Sequence, residues 1–316
     1  MANGKELRIL FMGTPDFAAT SLEYLLKNGY TVVGVTCRAD KPKNRGMQLT
    51  PPPCKLVAAA AEIPVYQPET LKDGAFLSVL EETQPDLIVT VAYGRLLPQY
   101  VLDYPKYGCI NLHGSLLPKY RGAAPIQRAV MNGDTVTGVT TMFLSLGMDE
   151  GDMLLKAETE IGADETAGEL MDRLAIFGAP VLAETIDRIA DGTIVRTPQD
   201  PALATHAAML DKAEGKLDFQ KSARELYCIF RGLTPALSVS TTFRGKSVKI
   251  TAVHPTDAGA KGEPGEIIAA DKAGITVATA DGALVVTELA PEGKRAMAAA
   301  DFINGRQVKI GEFFGA

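Results

Sequence analysis

At 316 residues the chain has length for roughly two domains. Hydrophobic residues make up 46% and charged residues 22%, an ordinary globular mixture that excludes a disordered or collagen-like chain. The formal net charge of −6 is uneven: residues 207–316 hold 14 Lys and Arg against 13 Asp and Glu, so the acidity belongs to residues 1–206. No apolar run is long enough to span a bilayer, and the start Met1-Ala2-Asn3-Gly4-Lys5-Glu6 lacks the basic and apolar regions of a secretory signal. The expectation is a cytoplasmic protein with no membrane partner. Cys37, Cys54, Cys109 and Cys228 are scattered with no C-x-x-C pair and no His at ligand spacing, which argues against a metal site and against a disulfide framework.

Residues 7–12 read as a buried strand, followed by the turn Gly13-Thr14-Pro15-Asp16 and a helix over 17–28. A strand over 31–36 leads into residues 40–53, where Lys41, Lys43, Arg45 and three consecutive prolines forbid a regular helix or central strand. This basic excursion is either a functional loop or a disordered insertion, and composition does not separate the two. A helix over 55–62, a short strand over 65–67 and strands over 86–91 and 138–144 follow, the last feeding a turn at Asp149. Strands alternating with helices imply a parallel sheet with right-handed crossovers and functional loops at the carboxyl ends of its strands. Gly13 stands alone where a dinucleotide fingerprint needs three spaced glycines, so a nicotinamide enzyme is rejected.

A helix over 167–190 ends in a Gly- and Pro-bearing stretch that reads as a linker. Short β-rich runs over 238–243, 247–253, 265–269, 275–278 and 283–289 then carry the pattern of a small barrel. Arg244, Lys246 and Lys249, with further basic residues near the end of the chain, could present a basic face to phosphates. Charge alone favours solvated strand edges instead.

The residues richest in chemistry are Asn111 and His113, two apart behind the apolar Gly108-Cys109-Ile110, together with Asp149. On an extended strand Asn111 and His113 project to one side. The amide can donate to an oxyanion forming on a carbonyl, the imidazole can act as acid or base, and a carboxylate can orient and support its charged form. That set suits acyl or formyl transfer to an amine. Singly, each residue is better explained as a cap or turn. His206 and His254 are assigned to linker and surface, and Cys109 has no evident base to make it a nucleophile.

The stretches Gly13-Thr14-Pro15-Asp16-Phe17, Val91-Ala92-Tyr93-Gly94, Asn111 to Pro118 continuing through Arg121-Gly122-Ala123-Ala124-Pro125-Ile126-Gln127, and Asp149-Glu150-Gly151-Asp152-Met153 closely resemble the methionyl-tRNA formyltransferase family. This family lies within a wider group that includes glycinamide ribonucleotide transformylase, and the resemblance covers essentially the whole chain. It implies an α/β fold in which a Rossmann-like parallel-sheet catalytic domain, residues 1–189, is joined by a linker over 190–208 to a small OB-like β-barrel, residues 209–316, that binds tRNA. It further implies catalysis by Asn111, His113 and Asp149, and folate binding by Val91, Ala92, Tyr93 and Gly94 and by Ser115, Leu116, Leu117 and Pro118. Contacts to tRNA are expected from Lys41, Lys43 and Arg45, and from Lys246 and Lys249. The formyl donor implied is 10-formyltetrahydrofolate, with no metal, the acceptor is initiator methionyl-tRNA, and the expected form is a monomer. Three departures bear on the acceptor. The family's Gly-Arg-Gly-Lys-Lys pattern reads Asn44-Arg45-Gly46-Met47-Gln48 here, and its Asn-Pro-Trp-Pro reads Thr234-Pro235-Ala236-Leu237 in a chain without Trp. Met209 also stands where a Lys is expected. Weaker, less salt-sensitive phosphate contact from the basic loop is the consequence. A formyltransferase acting on a nucleotide-sugar amine and a noncatalytic RNA-binding protein are the alternatives.

Overall fold

The computed structural model describes residues 3–43, 48–256 and 261–315. They divide into two compact units, the first made of the described parts of Met1–Pro125 with Val136–Glu160 and Leu170–Ala208, the second of Ile126–Thr135, Ile161–Glu169 and the described parts of Met209–Ala316.

In the first unit the chain runs β1 (Ile9–Gly13), α1 (Asp16–Lys27), β2 (Val32–Thr36), β3 (Lys41–Lys43), β4 (Gln48–Thr50), α2 (Pro53–Ala60) and β5 (Val65–Tyr66). It continues through α3 (Leu77–Thr83), β6 (Leu87–Val91), α4 (Gln99–Leu102), β7 (Cys109–His113) and β8 (Arg121–Gly122). Helix α5 (Pro125–Met131), β9 (Val136–Phe143), β10 (Met153–Glu160), α6 (Ala167–Asp191) and β11 (His206–Ala207) complete this part of the chain. Most of α5 and the first turn of α6 are grouped with the second unit.

Seven strands form one sheet in the order β10-β9-β7-β6-β1-β2-β5. The strands β1, β2, β5, β6 and β7 are parallel, and β1 and β6 are buried along their whole length, as continuous apolar runs covered on both faces should be. The sheet is nonetheless mixed, which corrects the all-parallel expectation: β9 runs antiparallel to β7, and β10 antiparallel to β9. Residues 144–152 contain no helix that could carry a parallel crossover, so β10 must return in the opposite sense. Strand β10 is absent from the sequence reading because it alternates exposed Lys156, Glu158 and Glu160 with partly covered neighbours, the pattern of an edge strand with one wet face. Strands β3 and β4 pair as a separate hairpin.

Residues 190–208, read as a linker, belong to the first unit. They supply β11, which pairs in parallel with β8, and an isolated bridge joins Thr197 to Met153. Proline-rich irregular backbone still has to satisfy its polar groups, and here it does so on the sheet edge and on the loop after β7. Among the described residues no helix is long and apolar enough to cross a membrane.

In the second unit α7 (Ala223–Leu233) precedes β12 (Val239–Phe243), β13 (Lys246–Thr256), β14 (Ile267–Asp271), β15 (Gly274–Ala278), β16 (Ala283–Pro291), β17 (Met297–Ala298) and α8 (Ala299–Arg306). The antiparallel path is β12-β13-β16-β15-β14, with β17 on β16. No ladder joins β12 to β14 among the described residues; isolated bridges from the C-terminal Phe313 and Phe314 reach Glu266 and Phe243. Leu226, Phe230 and Leu233 of α7 share one apolar core with Val248, Ile250, Ile267, Leu284, Leu289 and Phe302. Phe243 packs edge-on against Phe302 and Phe314, each with ring centroids 5.6 Å apart. Helix α7, absent from the sequence reading, starts at a reciprocal cap between Ser222 and Glu225, a signal that is written in the sequence.

Strands β9 and β10 approach so closely at Gly138 that an added Cβ would lie 2.0 Å from the carbonyl oxygen of Ala157. Because the obstacle is backbone, Gly138→Ala should destabilise the first unit by about 1–3 kcal/mol, measured as a lower denaturant midpoint in circular dichroism.

Candidate functional site

The centre of the site is built by the register of β6 against β7. Thr90 lies opposite Asn111 and Val91 opposite Leu112. Thr90 Oγ1, buried between the strands, is 2.8 Å from Asn111 Oδ1 and 3.1 Å from the Ile110 carbonyl. The hydroxyl donates to Asn111 Oδ1 and fixes the amide so that Nδ2 is left as an available donor, with no partner among the described residues. Two positions on, and on the same side of the strand, His113 ends β7 with only 5% of its surface exposed. Its Nε2 lies 2.9 Å from the Tyr120 carbonyl, which can only accept, so Nε2 carries the hydrogen in this arrangement.

The other ring nitrogen, Nδ1, faces Asp149 Oδ2 at 3.7 Å, close enough for charge attraction but too long for a direct hydrogen bond. The same Oδ2 accepts from the Gly122 backbone N–H at 2.9 Å. Asp149 sits in the left-handed region with φ 54°, which Asp tolerates better than most residues. That turn sends its carboxylate to Gly122 and His113 while its carbonyl points to Gln199, whose Nε2 donates at 2.8 Å to both Asp149 O and Gly151 O. Tyr120, which presents its carbonyl to His113, is also left-handed, at φ 61°; a bulky residue there costs on the order of 1–3 kcal/mol.

The loop after β7 is fixed from β9. Thr140, paired with His113, donates to Ser115 O at 2.7 Å and accepts from Leu117 N–H at 3.1 Å. Ser115 Oγ donates to Lys119 O, and Lys156 Nζ donates to Leu117 O. The Leu117–Pro118 peptide is cis. Of the four residues expected here for folate, Ser115 and Leu117 are therefore buried and engaged, whereas Leu116 and Pro118 are partly accessible. At the end of β6, Val91 and Tyr93 are buried while Ala92 and Gly94 are exposed, both with positive φ, 46° and 75°. Burial pushes the Tyr93 phenol above its ordinary range, with Arg95 and Arg38 opposing that shift.

Lys41 is exposed in β3, Lys43 ends the same strand, and Arg45 lies outside the described residues. Lys246 and Lys249 lie in the second unit, exposed but three positions apart on β13, hence on opposite faces. Asp40, beside Lys41, is engaged by Gln67 Nε2 at 2.8 Å and Lys55 Nζ at 2.9 Å, and those two partners hold its carboxyl below the usual range. The Cys109 thiol lies 3.6 Å from the Val101 carbonyl and 3.9 Å from the Leu102 carbonyl, and burial pushes that thiol up, away from the reactive thiolate. His206 and His254 are exposed. Sequence reasoning missed Thr90, Tyr120, Thr140 and Gln199. None carries a local signal, since each acts through a partner 7 to 50 positions away.

Against known proteins, the family model described as Formyl transferase matches residues 7–186, and that of the Formyl transferase C-terminal domain matches 209–307. A methionyl-tRNA formyltransferase of Acetivibrio thermocellus is 47% identical over 310 residues, covering 98% of this chain and 100% of that protein. One of Citrifermentans bemidjiense is 45% identical over 98% of this chain and 96% of its own. Among solved structures, an N-formyltransferase from Helicobacter canadensis superimposes with a TM-score of 0.66 at 19% identity, over 89% of this chain and 98% of that one. HypX from Aquifex aeolicus gives 0.62 at 18% identity, over 97% of this chain and 48% of its own; both are likenesses of fold. With both family models matched in order and relatives near half identical over their full length, the chain belongs to the methionyl-tRNA formyltransferase family.

Proposed function

We propose that this protein transfers the formyl group of 10-formyltetrahydrofolate to the α-amino group of methionine esterified to initiator tRNA, with Asn111, His113 and Asp149 as the catalytic residues. The observation that carries the site is the pairing of an amide whose Nδ2 is free to donate with a buried imidazole facing a carboxylate at 3.7 Å. As the amine attacks the formyl carbon, negative charge grows on the formyl oxygen, and Asn111 Nδ2 is the donor placed to receive it. The attacking nitrogen must lose a proton and the folate nitrogen must gain one as its bond to carbon breaks. His113 Nδ1, facing Asp149, is the ring atom able to hold and return that proton, while Tyr120 keeps Nε2 occupied. Asp149 balances the charge on the imidazole.

The accessible members of the two folate segments, Ala92, Gly94, Leu116 and Pro118, offer backbone polar groups and apolar surface, a chemistry suited to a flat heterocycle with a polar edge. The HypX structure is a complex with tetrahydrofolic acid and that of the Helicobacter canadensis enzyme a complex with folinic acid, which supports a folate here. For the acceptor, the relatives of 43–47% identity are methionyl-tRNA formyltransferases, whereas the sugar formyltransferases in the structural comparison are 17–19% identical. The second unit is inferred to act as an OB-like barrel that binds tRNA, its antiparallel path being bridged at both edges by the C-terminal Phe313 and Phe314. Catalysis then belongs to residues 1–189 and RNA contact to 209–316 together with Lys41, Lys43 and Arg45.

The deciding assay measures formyl transfer from 10-formyltetrahydrofolate to charged initiator tRNA, with an elongator tRNA and a nucleotide-linked amino sugar as competing acceptors; preference for the amino sugar would sink the tRNA reading. In that assay His113→Ala should lower kcat by about 10²–10⁴-fold and Asn111→Ala by about 10²–10³-fold, with donor KM little changed. Lys41→Ala should instead raise the KM for tRNA and flatten its dependence on salt. A matching rise in donor KM would remove Lys41 from RNA contact.

A further inference from the structure

We propose that residues 197–207 are a strap that positions Asp149, with Gln199 as the positioning residue at its centre; this rests on Asp149 being catalytic, as argued above. The strap crosses two loops of the first unit. On the loop after β7 it takes Arg121 N–H on the Thr205 carbonyl at 2.8 Å and Tyr120 N–H on Thr205 Oγ1 at 2.8 Å. Ala124 N–H donates to the Ala207 carbonyl at 3.2 Å. On the loop between β9 and β10, Gln199 Nε2 holds the carbonyls of Asp149 and Gly151 together. The other end of the same side chain, Oε1, accepts from Arg121 Nε at 3.0 Å. Arg121 is 8% exposed, so this pairing is made in a partly desolvated setting where a hydrogen bond is geometrically demanding.

One amide therefore joins the two loops that fix His113 and Asp149. Tyr120 and Gly122, whose carbonyl and N–H fix His113 and Asp149, flank the Arg121 that Gln199 engages. The fit is close at the other end of the strap as well: a Cβ on Gly122 would lie 2.8 Å from the Ala207 carbonyl oxygen. Gln199 touches neither ring nor carboxylate. Its effect passes through the left-handed turn at Asp149, because a carbonyl held on one side and a carboxylate held on the other leave that turn a single orientation. A Glu at this position would still accept from Arg121 but could not donate to the two carbonyls, which separates clamping of the Asp149 loop from simple contact with Arg121.

The test is a double-mutant cycle in the tRNA formylation assay. Gln199→Ala should lower kcat by about 100-fold, the scale expected when a catalytic group is misplaced by about 1 Å, with the KM for 10-formyltetrahydrofolate unchanged within about twofold. Gln199→Glu should fall with it, and serves as the shape-conserving variant should the Ala variant unfold. In an Asp149→Ala background either change should cost less than about threefold, since the group being positioned is gone. A full loss on top of Asp149→Ala, or near-normal kcat in Gln199→Glu, overturns the strap. If Asp149→Ala alone leaves kcat intact, it is the catalytic reading of Asp149 that fails, and the two failures are told apart.

Discussion

The left-handed turn at Asp149 is the constraint on which the candidate site depends. At φ 54° the residue must send its carbonyl and its side chain in different directions, and each end is caught by a different neighbour. Gly122 N–H takes the carboxylate, Gln199 takes the carbonyl, and the imidazole of His113 is left facing the charged group rather than bonded to it. A separation of 3.7 Å is long for a hydrogen bond.

Around that turn the fold uses rigid elements for the candidate reacting groups and strained backbone for their supports. Asn111 and His113 come from β7, locked between β6 and β9, and their common side follows from the period of a strand. Ala92, Tyr120 and Asp149, all non-glycine residues with positive φ, surround them. Such strain persists only where neighbouring structure over-determines it, and here the strap, the Thr140 contacts and the strand register provide that over-determination.

The second unit has a different logic. Its core is continuous from α7 through the sheet to α8 and the C-terminal Phe314. Lys246 and Lys249 are exposed on β13, a strand paired on both sides, by β12 and by β16. Recognition of a polyanion by such a surface depends on many weak, screened contacts, whereas formyl transfer depends on a few groups held to within about 0.5 Å. On the proposed reading, acceptor recognition and chemistry rest on separate physical grounds in one chain.

Residue order by itself determined the elements whose cause is local. The buried strands β1 and β6, the helices α1, α2 and α6 and the short runs of the second unit follow from periodicity, whereas α7 went unread. The pairing of Asn111 with His113 needs only a strand and a spacing of two, and the family-like segments around them led to the correct family. What tertiary structure decided lies where the cause is distant. The reversed sense of β9 and the existence of β10 depend on which neighbour a half-exposed, charged strand finds. Whether residues 190–208 tether or brace depends on partners up to 85 positions away, as in the bond from Tyr120 to Thr205. Thr90, Tyr120, Thr140 and Gln199 are silent in sequence for the same reason: a hydrogen bond has no periodicity, and only a folded chain brings its two ends together.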